Sequence, residues 1–251
     1  MSRIVHLRVT RRARLAVQRG VGAPEGEGDS PEALSELWIL LHGYRQLAPR
    51  FIRHFRALHD PSRLLVAPEG LSRFYLEGSP GPHRGGDPVG ASWMTREDRE
   101  AEIEDYVGYL DEVLEWGLAA CAGQGRRTSV RVLGFSQGVH TAARWVALGE
   151  AFREPELRER TRLLVWGTAL PADLPEEGLE RFRTLESLIL VRGEEDQLRV
   201  EGDEEGEEAQ LREVGIDYRV RVHSGGHRID GALLRELAGW VGGGVDEGPA
   251  G

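Results

Sequence analysis

The chain has one cysteine, Cys121, in 251 residues, so no disulfide can form within it and its stability must come from packing. That usage suits a reducing compartment. No apolar run approaches the ~20 residues a membrane-spanning helix requires. The opening residues, Met1-Ser2-Arg3-Ile4-Val5-His6, lack the charged-then-apolar pattern of a secretory signal. Positive charge is in deficit. With 32 Lys and Arg against 42 Asp and Glu, the net charge is -10, which disfavours nucleic acid as a main partner and gives no help on anionic membranes. There is no His-Glu-x-x-His and no paired-cysteine motif, so no catalytic metal is expected. The glycine-rich stretch from Gly22 to Gly28 lacks a strand before it and a helix after it, which argues against a nucleotide cofactor. What remains is a cytoplasmic protein with no cofactor, no nucleic-acid partner and no stable membrane insertion.

Length and composition point to a single domain over residues 1–251, with a Gly-rich tail after Val241; hydrophobic content is 40% and charged content 29%. Apolar alternation over residues 3–9 and 12–19 predicts an antiparallel hairpin at the N-terminus. Four continuous apolar runs, at 37–41, 129–133, 162–166 and 188–191, read as buried strands of a parallel sheet. Residues 64–66 and 218–222 are weaker strand candidates. Helical spacing appears at 97–120, 137–149 and 229–241. Strands alternating with helices imply an α/β fold, a mostly parallel central sheet with helices on both faces. Two stretches stand apart. Residues 78–92 are Gly/Pro-rich and read as a long loop over a site or a disordered excursion, and 201–208, almost all Glu, Asp and Gly, read as a solvated face or loop.

The strongest motif is Gly134-Phe135-Ser136-Gln137-Gly138. It matches G-x-S-x-G and has the context that the chemistry needs, a buried strand before it and a helix after it. A serine on such a tight turn is lifted above the sheet, where the helix N-terminus favours developing negative charge. A hydroxyl is a weak nucleophile without a base to take its proton. In a sheet of this kind the acid and the base follow the serine along the chain, in that order. Beyond the helix carrying His140, only His223 and His227 remain. His227, in the loop Ser224-Gly225-Gly226-His227-Arg228 before the last helix, is the better-placed base. Asp196 follows the run at 188–191 and is the acid that would orient it, with Glu194 and Glu195 as competitors in the same loop. The oxyanion donors would be the backbone N–H of Gln137 and that of Tyr44, in the loop after the strand ending Leu41-His42-Gly43. His42 precedes the serine and reads as a brace for that loop.

Leu41-His42-Gly43, the serine pentapeptide, the Gly193-to-Asp196 stretch and Gly225-Gly226-His227, with Ala67-Pro68-Glu69-Gly70 and Ser92-Trp93-Met94, together resemble the phospholipase/carboxylesterase family of α/β-hydrolases over about residues 37 to 240. That family includes acyl-protein thioesterases and small bacterial carboxylesterases. The resemblance implies the α/β-hydrolase fold, a Ser136–His227–Asp196 triad, oxyanion roles for Tyr44 and Gln137, and cofactor-free hydrolysis of carboxylic esters, thioesters or lysophospholipids. One departure from the family pattern is Arg45, where many relatives carry glycine; it bears on substrate class, by narrowing the acyl entrance or attracting acidic substrates. Cys121 lies in no Gly-rich turn, which disfavours a cysteine nucleophile.

On the substrate side, Phe74, Tyr75, Leu76, Trp93 and Met94 cluster around the long loop. They could wall an acyl pocket or simply pack the loop onto the core. Arg45, Phe74, Trp93 and Met94 are the substrate-binding candidates. Two other functional classes compete with an esterase: a non-catalytic scaffold that binds a small molecule or protein, and a serine peptidase. A peptidase of this fold often carries a specificity domain, for which the chain has no room.

Overall fold

The four apolar runs form the middle of the sheet, and alternate residues along them enter two separate cores. The structure, a computed structural model, describes residues 3–19, 34–76, 85–122 and 127–240. Its strands are β1 (Leu15–Arg19), β2 (Glu36–Leu41), β3 (Arg63–Pro68), β4 (Ser72–Tyr75), β5 (Val89–Ser92), β6 (Ser129–Phe135), β7 (Thr161–Trp166), β8 (Ser187–Gly193) and β9 (Arg219–His223). Seven of them form one sheet in the order β1-β3-β2-β6-β7-β8-β9, parallel except for β1. The helices are α1 (Ala48–Phe51), α2 (Arg99–Cys121), α3 (Gln137–Leu148), α4 (Pro155–Arg158), α5 (Glu176–Glu180), α6 (Asp203–Val214) and α7 (Gly231–Gly239).

Strand residues point alternately to opposite faces. Leu37, Ile39 and Leu41 of β2 join Tyr106, Leu110 and Leu114 of α2 and Val139, Ala142 and Val146 of α3 in one core. Trp38 and Leu40 join Phe51, Phe55 and the α7 residues Leu233, Leu234 and Leu237 in the other. Both faces are therefore covered, as continuous apolar strands require.

Two expectations from the sequence are corrected and a third is narrowed. Residues 3–14 form no strand. Only β1 does, and it pairs antiparallel with β3, Val17 opposite Val66, so there is no N-terminal hairpin. The alternating residues Ile4, Leu7 and Val9 stay exposed, and the chain is tied down at Arg14, which donates twice to the buried carboxylate of Glu69 (3.0 and 2.7 Å). The acidic run is a largely solvated helix face and not a loop: α6 begins at Asp203, leaves Asp203, Glu205 and Gly206 exposed, and turns Glu207 and Leu211 inward. Buried Glu207 accepts from the Leu170 N–H (2.8 Å) and pairs with Arg192 (3.3 Å), so it acquires the partners that a buried charge needs. The long loop at 78–92 ends in strand β5, which pairs antiparallel with β4. The stretch 20–30, the loop portion 77–84 and the tail after Val241 lie outside the described residues.

Candidate active site

The connections from β2 run to β3 on one side and the chain returns to β6 on the other, so the strand order reverses between β2 and β6. A crevice opens at the carboxyl ends of strands at such a point. The loop after β2 and the turn after β6 meet there, and a Cβ on Gly43 would stand 3.2 Å from the Ser136 Cβ.

Ser136 holds φ 54° and ψ -122° between β6 and α3. A non-glycine residue at positive φ is uncommon, and the packing around this one enforces it. The Ser136 N–H donates to the Trp166 carbonyl of β7 (3.0 Å) and its carbonyl accepts from Val139 (2.8 Å). The glycines on either side are dictated by contact. A Cβ on Gly138 would lie 2.1 Å from the Leu41 carbonyl oxygen, and one on Gly134 would lie 2.4 Å from that of Gly138. Helix α3 starts at Gln137, whose N–H, like the first donors of any helix, has no intrahelical acceptor.

His227 and Asp196 come together from two loops. The His227 Nδ1–H donates to Asp196 Oδ2 at 2.7 Å, and Asp196 Oδ1 accepts from the Leu198 N–H at 2.9 Å. The Asp196 carboxylate is 1% exposed and so cannot exchange this partner for water. Its competitors do not share the position. Glu194 and Glu195 are exposed, and their backbone N–H groups donate to the carbonyls of His223 (2.9 Å) and Gly225 (3.2 Å). Those two bonds bind the loop after β8 to the loop after β9. His223 is also engaged. Its Nδ1 accepts from the Gly225 N–H (3.1 Å), its ring lies 5.7 Å from that of Trp166, and burial lowers its pKa. His227 remains, half-buried, with its ring centroid 4.8 Å from that of Phe135, the residue before the serine. No hydrogen bond joins Ser136 to His227 in this structure; such contacts are often long in unliganded enzymes and tighten when substrate binds.

His42 braces the loop beside the serine. It is fully buried, its Nδ1–H donates to the Gly43 carbonyl (2.8 Å), and its Nε2 accepts from the Gly70 N–H (2.9 Å). Both nitrogens are occupied by the neutral ring, and burial drives its pKa down. The Gly43 N–H donates to the Gln46 side chain (2.7 Å), while Tyr44 is exposed and stacks on Phe74 at 5.4 Å. Arg45 is exposed, with φ 68°.

Trp93 takes the packing alternative. It is 2% exposed, donates from Nε1 to the His42 carbonyl (2.8 Å) and packs edge-on to Tyr106. Met94 is half-buried and lends its carbonyl to Gln137. That last contact belongs to a clamp that the sequence did not signal. The Gln137 Nε2 donates to the Met94 carbonyl (2.8 Å) and Ser92 Oγ (3.1 Å), and its Oε1 accepts from the Trp93 N–H (3.2 Å). The partners are more than 40 residues apart, so no local spacing could reveal it. Among the described residues, no group of three or more His, Cys, Asp or Glu side chains is placed to hold a metal ion.

No family model matches the sequence, and no curated protein matches it. Solved structures do. Esterase PE8 is 23% identical, with 90% of this chain and 96% of that chain covered and a TM-score of 0.59. Acyl-protein thioesterase 2 of Zea mays is 16% identical, with 91% and 97% covered and a TM-score of 0.58. The Bacillus cereus carboxylesterase is 14% identical, with 91% and 92% covered and a TM-score of 0.55. At these identities the likeness is one of architecture. The chain has the α/β-hydrolase fold, in the form that these esterases and thioesterases share.

Proposed function

We propose that this chain is a serine hydrolase that cleaves carboxylic esters, thioesters and lysophospholipids falling within the same chemistry, through an acyl-serine intermediate. The observation that supports the reading is a strained strand-to-helix serine whose neighbour Phe135 packs 4.8 Å from His227, itself bonded to the buried carboxylate of Asp196, at the carboxyl ends of one sheet. In this reading Ser136 Oγ attacks the acyl carbon while His227 Nε2 takes its proton. Asp196 stays ionised, fixing the imidazole with its proton on Nδ1 and stabilising the imidazolium. The N–H groups of Tyr44 and Gln137 receive the oxyanion. Collapse expels the alcohol or thiol, which leaves with the proton held by His227. Water, deprotonated by the same nitrogen, then attacks the acyl-serine and releases the acid and the free enzyme. Every group in this cycle comes from the chain itself, so no cofactor is invoked.

Phe74 and Met94 are assigned to the substrate side and Arg45 to its entrance. The single domain and the cytoplasmic setting belong to the same proposal, and the buried lone thiol of Cys121 accords with a reducing compartment. No helix among the described residues is long and apolar enough to cross a membrane.

The test is hydrolysis of p-nitrophenyl esters of graded acyl length by wild type and Ser136→Ala. The expected result is turnover that falls at least ~10⁴-fold in the variant, with the best chain length sizing the acyl site. Turnover that survives the substitution assigns the nucleophile elsewhere. No wild-type turnover at any length favours the non-catalytic scaffold.

A further inference from the structure

Arg45 directly follows the oxyanion candidate Tyr44 at the proposed entrance, and the reaction as written gives its charge no task. Three non-glycine residues hold positive φ among those described: Ser136, Asp98 and Arg45. Ser136 is the elbow itself, and aspartate tolerates this region better than most residues do. An arginine does not, and a glycine would take φ 68° without the steric cost.

The conformation is imposed by packing. The Arg45 N–H donates to the Ala91 carbonyl (2.9 Å) and the Ala91 N–H returns a bond to the Gln46 carbonyl (3.2 Å). The turn lies so close on β5 that a Cβ on Gly90 would stand 2.6 Å from the Arg45 carbonyl oxygen and 2.7 Å from its Cα. The backbone therefore has no alternative at this point, and the residue that fits it best is absent. Strained positions of this kind concentrate at functional sites.

The side chain has no structural duty that would explain the choice. It is exposed and has no hydrogen-bond or ion-pair partner among the described residues. Its Cα lies within about 7.6 Å of the Gly43 Cα, two virtual bonds away, and Gly43 abuts Ser136. An extended arginine is long enough to span that separation to a group several bonds from a carbonyl seated at the serine. The chain carries a net charge of -10, and near the site exposed Glu194 and Glu195 stand against the exposed cations Arg199 and Arg228, both on the Asp196–His227 side, while Arg45 lies on the loop that carries the oxyanion candidate Tyr44.

We propose that Arg45 selects esters that carry an anionic group, a carboxylate or its equivalent, several bonds from the scissile carbonyl, over neutral esters of the same length. The inference rests on the ester-hydrolase reading above. The anion can lie on either side of the ester bond, and the experiment separates the two. Monomethyl adipate is compared with methyl hexanoate for the acyl side, and the acetate ester of 6-hydroxyhexanoate with hexyl acetate for the alcohol side, each by titration of released acid.

The wild type should favour the anionic member of at least one pair by about tenfold in kcat/KM at low salt, the effect of one unit charge near 6 Å at a partly screened surface. The pair that shows it tells which side carries the anion. The preference should shrink as ionic strength rises, shrink about tenfold in Arg45→Gly and persist in part in Arg45→Lys. Arg45→Gly suits its backbone, so a thermal melt at or above that of the wild type certifies the fold, and the ratio within each variant cancels any general change in rate. Neutral esters turned over with no anionic preference, or a preference that Arg45→Gly retains, overturns the assignment of Arg45 and leaves the esterase intact. No turnover of any of the four esters overturns the ester reading and this inference with it.

Discussion

Replacing Asp196 with asparagine should separate catalysis from folding in a way the local hydrogen bonds dictate. Asp196 Oδ1 accepts from the Leu198 N–H at 2.9 Å and Oδ2 accepts from His227 Nδ1 at 2.7 Å. An asparagine in the same pocket has one acceptor and one donor group. The Leu198 N–H can only donate, so it fixes the amide oxygen at the Oδ1 position and turns the NH₂ toward His227. Nδ1 must then accept, which puts the imidazole proton on Nε2, the nitrogen meant to take the proton of Ser136. The contact itself survives with donor and acceptor exchanged. We therefore expect a stability change of only about 1 kcal/mol but a loss of ~10⁴ in kcat, close to 5.4 kcal/mol of barrier. Urea unfolding gives the first quantity, burst and steady-state kinetics on p-nitrophenyl acetate give the second, and ¹⁵N NMR of the ring reports the tautomer. Glu194→Gln and Glu195→Gln should each leave kcat within about twofold, in line with ordinary surface substitutions. The reasoning fails if the asparagine variant keeps more than a hundredth of wild-type turnover, or if either glutamate substitution does comparable harm.

The remaining predictions concern the turn and the loop behind it. Gly138→Ala sets a methyl 2.1 Å from the Leu41 carbonyl oxygen, a clash with backbone that no side-chain rotation can relieve, and should cost about 3 kcal/mol or more by denaturant titration. Gly206→Ala in α6 meets nothing within 4 Å and should instead stabilise by about 1 kcal/mol; a loss there would mean the helix is not formed as described. His42, neutral and buried, has a lowered pKa, so the unfolded chain binds more protons below its own value near 6.5. The contribution of His42 to stability is thus complete above about pH 6.5 and falls as pH drops toward the folded pKa, with a slope of at most about 1.4 kcal/mol per pH unit. Its ring signal should stay neutral at pH 6; titration near 6.5 would mean that the Gly70 bond is not made.

The parts of this fold that were legible in the sequence were those set by local rules. Continuous apolar runs announced β2, β6, β7 and β8, and 3.6-residue spacing announced α2, α3 and α7, because burial on one or both faces leaves a periodic trace. The site candidates Ser136 and Asp196 could be named because each sits just past such a strand, and His227 because it follows the weaker strand candidate at 218–222, at the end where a parallel sheet gathers its loops. The failures have a common cause. Alternation over 3–9 and 12–19 carries no information about which strand is the partner, and β3 offers β1 its hydrogen bonds with Arg14 secured on Glu69. The acidic run hid its one buried member, Glu207, because sequence counts charges singly, whereas Arg192 meets Glu204, Glu207 and Glu208 together. The Gln137 clamp and the neutral tautomer of His42 are long-range contacts, invisible until the chain is folded.

The two bonds from the Glu194 and Glu195 amides to the carbonyls of His223 and Gly225 join the loops bearing Asp196 and His227. Ser136 is anchored through the Trp166 carbonyl to β7 and, through Gln137, to the segment beyond β5. The two halves are joined through Trp166, whose carbonyl accepts from the Ser136 N–H and whose Nε1–H donates to the Arg228 carbonyl (2.9 Å) beside His227. A single tryptophan of the central sheet thus sets the span between the serine and the imidazole.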